Sequence, residues 1–297
     1  MTFVHPWVTI LLHTVFAMTR PNGAGDIGTS PRVPEVAELR IKSAVAACIV
    51  LLGAAPACAA EVAASAGYVV SLGGINVATV RVGLNDDGKH YAIELKADVE
   101  GLGQLVSSGS ASIESAGLAT APALAPQQFG LTTRANGETF AVAVGYAGGD
   151  VTAFTVDPPL LDNYGRVPIE RAHLTGVGDI LAAFVFKGGA LDASLCRRKM
   201  RIFTGVERFN IALSYLKDDD ATSPRTGYQG PVVLCNIRYT PVSGHFTTSE
   251  LTSYLADSDR ILIWYAPLGD SGYFIPYRLL MTTSFGDLSM VLTSLRS

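Results

Sequence analysis

Cys196 and Cys235 have the most chemistry to offer after position 60. They stand about forty residues apart, beside segments that read as strands. A redox pair would normally be Cys-x-x-Cys, so the spacing disfavours dithiol exchange. In a reducing compartment they would be free thiols, whereas in an oxidising one two such cysteines pair. Closing a loop of about forty residues would stabilise a fold by roughly 3–4 kcal/mol in the chain-entropy picture. The compartment therefore decides their chemistry.

Acid–base and metal chemistry have thinner support. His90, His173 and His245 are the histidines after residue 60, scattered among strands and loops. No His-Glu-x-x-His, Gly-x-Ser-x-Gly, phosphate loop or dinucleotide fingerprint occurs. No catalytic residue, cofactor or metal ligand is assigned. A hydrolase built from distant residues would need His173 or His245 beside a serine, aspartate or glutamate, because triads are spatial. Asp218-Asp219-Asp220 lacks the alternating spacing and late bidentate glutamate of a calcium loop, so a solvated polar loop running to Gly227 is expected.

Two clusters could bind rather than react. Arg197-Arg198-Lys199-x-Arg201 is the densest basic run and could meet lipid headgroups or an acidic partner. Strand alternation, however, would divide it between two faces. Trp264, Tyr265, Tyr273, Phe274 and Tyr277 gather aromatic surface near the C-terminus. They fill a core or a cross-strand stack, or they line an apolar cavity if the sheet curls into an open barrel. The sequence leaves both open.

The elements that must position these residues are mostly strands. Gly67–Leu84 carries β-branched residues around Gly73-Gly74, which reads as a hairpin or a bent strand. Asn85-Asp86-Asp87-Gly88 is a turn, and in His90–Ala97 the residues Tyr91, Ile93 and Leu95 share a face. Gly101–Ser110 is ambiguous between a strand and a short helix, Ser110–Ile113 reads as a strand, and Gly117–Pro126 as a loop or an edge crossover. Phe129–Arg134, Thr139–Tyr146 and Asp150–Val156 form a meander that ends at Pro158-Pro159, and Leu160–Arg171 is irregular. Asp179–Phe186 is the best helix candidate, short and apolar on most sides. Lys199–Thr204, Arg208–Lys217, Val232–Tyr239, Arg260–Ala266, Tyr273–Thr283 and Gly286–Leu295 read as strands, and Thr247-x-x-Glu250 is a capping-box pattern. The expected fold is mainly β: a single antiparallel, strongly curled sheet, open or spiral like a β-barrel, with one or two short helices.

The compartment is written at Arg40–Glu61. Arg40 and Lys42 precede an apolar run from Ala44 to Leu52, and small residues close it at Ala57-Cys58-Ala59. This is the pattern of a secretory signal peptide over residues 40–60. The apolar run is shorter than the roughly twenty residues a membrane-spanning helix needs. Lipid attachment at Cys58 would lack the usual leucine three residues back. Residues 1–39 are expected to be disordered and to precede the true start, with a non-ATG codon at Val33, Val36 or Leu39. Residues 61–297 then form one β-rich periplasmic domain with no transmembrane segment. With 26 acidic and 22 basic residues the chain offers no basic field for nucleic acid.

Several short strings carry a family resemblance. They are Tyr68-Val-Val-Ser-Leu-Gly-Gly, Leu124-x-Pro126, Leu195-Cys196, and Ile202-Phe-Thr-Gly-Val-Glu-Arg-Phe209. Tyr228-Gln-Gly-Pro231, Cys235-x-x-x-Tyr239-x-Pro-Val-Ser-Gly-His245, Ile263-Trp264-x-Ala-Pro267 and Ile275-Pro-Tyr-Arg278 follow in order. The chain resembles the bacterial periplasmic family catalogued as domain of unknown function 3108, departing from it at Phe-Thr-Gly, where the family tends to Phe-Asp-Gly. The resemblance implies an exported, β-rich cell-envelope protein of a Gram-negative periplasm with its two cysteines paired. It supplies no catalytic residues. The expected function is non-enzymatic binding of an apolar ligand, such as lipid, or of an envelope protein. An envelope hydrolase and a structural envelope protein are the alternatives.

Overall fold

The computed structural model describes residues 61–297 apart from 101–108, 121–122, 136, 161–164 and 284–285. The expected signal peptide, the stretch before it and the ambiguous 101–108 lie outside the described residues.

Alternation builds the first half as a meander. In it β1 (Val62–Leu72), β2 (Ile75–Asp86), β3 (His90–Val99), β4 (Gly109–Leu118), β5 (Ala125–Ala135), β6 (Glu138–Ala147) and β7 (Asp150–Asp157) pair each with the next, antiparallel. In β3 Tyr91 and Ile93 are buried while His90 and Ala92 are exposed, the period-two pattern of a sheet with one dry face. Gly73 and Gly74 both adopt positive φ, +57° and +85°, as a two-residue hairpin turn demands. This resolves the first long segment as a hairpin.

The second half adds helix α1 (Ile180–Phe184), β8 (Phe186–Lys187), β9 (Lys199–Phe203), β10 (Arg208–Ala221) and β11 (Gly230–Ser243). It continues with helix α2 (Glu250–Asp257), β12 (Ile261–Pro267), β13 (Tyr273–Thr283) and β14 (Gly286–Arg296). β14 returns to pair with β1, so the two halves make one antiparallel 14-stranded sheet. Its order is β7-β6-β5-β4-β3-β2-β1-β14-β13-β12-β11-β10-β9, with β8 paired to β13. β7 and β9 are its edges and do not pair with each other, so the sheet is not closed.

Four local readings need correction. Asp218-Asp219-Asp220 is not a loop: β10 runs to Ala221 because β11 pairs with it along its whole length, placing Asp219 opposite Val232. The loop after β4 is shorter than Gly117–Pro126, because Gly117 and Leu118 still pair with Pro126 and Ala125 of β5. The helix within Asp179–Phe186 has five residues: Asp179 caps it by accepting from Ala182 N, while Phe186 pairs with Phe274. The cap of α2 is Ser249, which accepts from Thr252 N at 3.1 Å, whereas the Thr247 hydroxyl donates to Gly165 O.

Two clusters of buried side chains fill the inner face. The larger joins β1–β3 to β9–β14, and the smaller lies between β5–β6 and the β9–β10 turn, around Phe129, Val142, Val144, Phe203 and Val206. Residues 165–178 run between the two sheet edges as a strap. Arg166 bridges Phe246 at one end, and at the other Gly178 makes a parallel bridge to Ile202 of β9. Val177 N donates to Gly149 O in the β6–β7 turn at 2.7 Å, so the strap touches both edges.

Candidate ligand-binding cavity

The disulfide Cys196–Cys235 joins the 3₁₀ turn Ala193–Cys196 to β11, and both cysteines are wholly buried. The basic run that follows is split by its geometry. Arg197, Lys199 and Arg201 are exposed, while the Arg198 guanidinium lies over the Phe186 ring at 4.0 Å. That ring in turn packs on Tyr265 at 4.6 Å. Arg201 reaches the strap at Gly176. Tyr265, Tyr273, Phe274 and Tyr277 are buried in the larger core. Trp264 is half-buried, with its indole N–H donating to Asp219 at 3.0 Å and Arg278 over its ring.

Two polar clusters sit among these aromatics. The Tyr273 hydroxyl and the Lys187 ammonium both donate to Asp86 Oδ2, at 2.7 and 2.5 Å, and Lys187 also donates to Ala119 O. Burial pushes the Asp86 carboxyl up, but the hydrogen bonds from Lys187, Tyr273 and Gly88 N outweigh it and leave the pKa below the usual carboxylate value. In the second cluster the Ser115 hydroxyl donates to Asp179 at 2.6 Å and meets the Tyr91 hydroxyl at 2.9 Å. Burial pushes the Asp179 carboxyl up to about 6.

A serine beside an aspartate invites a catalytic reading, but Ser115 is 1% exposed and no substrate reaches it. Among the described residues no histidine hydrogen-bonds a serine hydroxyl; His245 bonds only the backbone of Ser243. His90 faces Asp87, His173 Nδ1 accepts from Glu170 N, and His245 Nδ1 is buried without a hydrogen-bond partner. No group of three or more His, Cys, Asp or Glu that could hold a metal ion occurs among the described residues. Nor is any described helix long and apolar enough to cross a membrane.

Asp179 carries a pH prediction. Its folded-state pKa lies above the unfolded value, so its contribution is fully present below about 4 and is lost as pH rises through about 6. Asp179→Asn keeps the cap acceptor and removes the titration. Relative to wild type, the variant should gain about 3 kcal/mol between pH 4 and pH 7, at 1.4 kcal/mol per pKa unit. Urea melts at both pH values check this; a constant difference refutes it.

Away from these clusters, two hollows are lined mostly by apolar side chains. One, between β1–β4 and β14, is bordered by Val70, Leu72, Val80, Leu95, Ile113 and Leu288 and holds about 60 Å³. It is far below the roughly 300–1,000 Å³ of ordinary ligand sites. The other holds about 510 Å³. Phe154 and Val156 of β7 form one wall, Pro159 and Leu160 follow, and Val167, Pro168 and Ile169 of the strap form the other wall. Arg166, Gly205 and Val206 of the β9–β10 turn, and Gly244 also line it. Gly205 is required there: at φ +88° a Cβ would stand 2.1 Å from Val142 Cγ1, so only glycine lets the turn lie on β6. The Phe154 ring meets Phe203 edge-on at 5.2 Å, which brings the two sheet edges together beside the cavity.

None of the aromatic or basic residues singled out by sequence lines either hollow. The strap was legible only as an irregular stretch. Its signal is the apolar Val167 and Ile169 beside Pro168, in a segment with no period to bury them.

Residues 67–293 match a family described as proteins of unknown function, DUF3108. The chain belongs to the DUF3108 family. No curated protein matches this DUF3108 member. Among solved structures it is similar to a beta-barrel-like protein of domain of unknown function DUF1849 from Brucella abortus. The two are 14% identical with a TM-score of 0.43, over 79% of this chain and 97% of that one.

Proposed function

We propose that this DUF3108 member is an exported cell-envelope protein that binds an apolar ligand without transforming it. The observation that carries this reading is the apolar cavity of about 510 Å³ between β7 and the strap. Its size falls within the range of small-molecule sites and its walls are almost wholly aliphatic and aromatic. In this reading the sheet is strongly curled, an open barrel whose edges β7 and β9 face each other across the strap. The Phe154–Phe203 contact supports that geometry. A wholly buried disulfide fits an oxidising compartment such as the periplasm, in keeping with the signal-peptide pattern at 40–60.

The test is binding of the neutral fluorophore N-phenyl-1-naphthylamine to residues 61–297, together with native mass spectrometry of lipid extracted from the purified protein. Ile169→Trp places an indole in the cavity from a wall outside the sheet. It should weaken binding about tenfold, which corresponds to about 1.4 kcal/mol, while the far-UV spectrum stays that of wild type. Wild-type protein that binds no probe and carries no lipid would refute the reading, as would a folded variant that binds equally well.

A further inference from the structure

We infer that the outward face of β9–β12 docks on an anionic lipid bilayer through Lys199, Arg201, Arg238 and Arg260. None of the four lines the cavity, so this surface stands apart from it. Register brings them together. Ala212 of β10 is opposite Lys199 in β9 and Arg238 in β11, and directly opposed residues share a face. Asn210, two residues earlier and so on the same side, is opposite Arg201. The buried Ile211 and Leu213 point the other way, into the core. In β12 the buried Ile261 is opposite Ile237, so Arg260, one residue earlier, points outward beside Arg238. The Arg238 Nη1 donates to Ser258 O at 3.4 Å, which turns its guanidinium towards the same corner. All four cations are exposed.

The chain carries 26 acidic and 22 basic residues, yet none of these cations has an acidic partner within 4.0 Å among the described residues. Like charges side by side on a sheet cost stability, a cost the fold itself does not offset here. Asp257 and Asp259 precede Arg260 without pairing to it, and Asp219 is held by the Trp264 N–H and Lys217. Arg197 is set aside because Asp192 lies near enough to feel its charge.

The shape of the array favours a bilayer. From Lys199 to Arg260 the row crosses three strand spacings, roughly 14 Å, which is too wide for one phosphate and suits a row of headgroups. Leu262 and Leu280 stand opposite each other on the same face, partly exposed and packed on neither core cluster. Cations around an aliphatic pair meet phosphates and the glycerol region together. An acidic protein segment would use the cations alone.

The experiment measures sedimentation of residues 61–297, which hold every strand of the sheet, with two kinds of vesicle at low salt. Vesicles of phosphatidylcholine with about 30 mol% phosphatidylglycerol should bind wild type at least about tenfold more tightly than pure phosphatidylcholine. Added salt should erase the difference. Arg238→Gln with Arg260→Gln should weaken binding about thirtyfold, about fivefold per charge. Arg81→Gln with Lys96→Gln removes two cations from β2 and β3 and should change it less than about fivefold. If the first pair lowers Tm, Lys199→Gln with Arg201→Gln reads the same face. Equal binding to both vesicles, no binding to either, or a folded variant of this face that binds like wild type overturns the inference. So does wild type that ignores vesicles but binds a polyglutamate peptide through Arg238 and Arg260, which would assign the face to an acidic protein.

Discussion

Lys187→Met is expected to destabilise the fold by about 3–5 kcal/mol, the usual cost of stranding one partner of a buried ion pair. Lys187 sits in β8, only two residues long, yet its ammonium ties three places in the chain together. It donates to Asp86 at the end of β2 and to Ala119 O beyond β4, and its own strand is paired to β13. The side chains are 22% and 2% exposed, so water cannot replace the missing partner at Asp86. Tyr273 and Gly88 N would remain as donors to the carboxylate, without the neutralising charge.

The pH dependence gives the mechanism a separate check. The folded-state pKa of Asp86 is depressed, so its contribution is present above the unfolded pKa and is lost as pH falls through the folded one. Removing Lys187 removes the first of the hydrogen bonds that depress it, together with the neutralising charge. The difference between variant and wild type should therefore be greatest at pH 7 and shrink as pH falls through the folded-state pKa of Asp86, below the usual carboxylate value. Adding Asp86→Asn to Lys187→Met should recover part of the loss, because no unpaired charge is then buried. Urea melts of the four proteins test this cycle. Strict additivity of the two substitutions would sink it.

The family and the strand content were legible because alternation is a local signal. Tyr91 and Ile93 declare the dry face of β3 within four residues, and the Gly73-Gly74 turn needs only its own backbone geometry. The paired cysteines were legible through compartment chemistry, without any view of the fold. The Asp218–Asp220 run misled because charge reads as loop, while pairing with β11 and the Trp264 N–H favour strand there. The cavity stayed hidden for a different reason. Its walls come from β7, from the strap and from the β9–β10 turn, segments far apart in the sequence. No local period encodes that meeting. The five aromatics near the C-terminus drew the eye by density, but in strands with both faces packed such density makes core.

Cys196→Ser with Cys235→Ser is the second large effect. The bond spans 39 residues, and the chain-entropy relation gives about 4 kcal/mol for a loop of that length. In a domain of this size that corresponds to a fall in Tm of roughly 8–16 °C. Both sulfurs are fully buried beneath Leu195 and the strands of the larger core, so the thiols are also out of reach of reductant in the folded state. Wild type should keep its bond for hours in millimolar dithiothreitol without denaturant and lose it quickly once urea opens the fold. The bond anchors the 3₁₀ turn that leads into Arg198, so its loss should also loosen the Arg198–Phe186–Tyr265 stack at the centre of the larger core. Near-ultraviolet circular dichroism of the double variant should show reduced tyrosine signal below its melting point. A variant that melts within about 2 °C of wild type, or a native protein whose thiols are rapidly alkylated after mild reduction, would show that the bond lies outside the cooperative core.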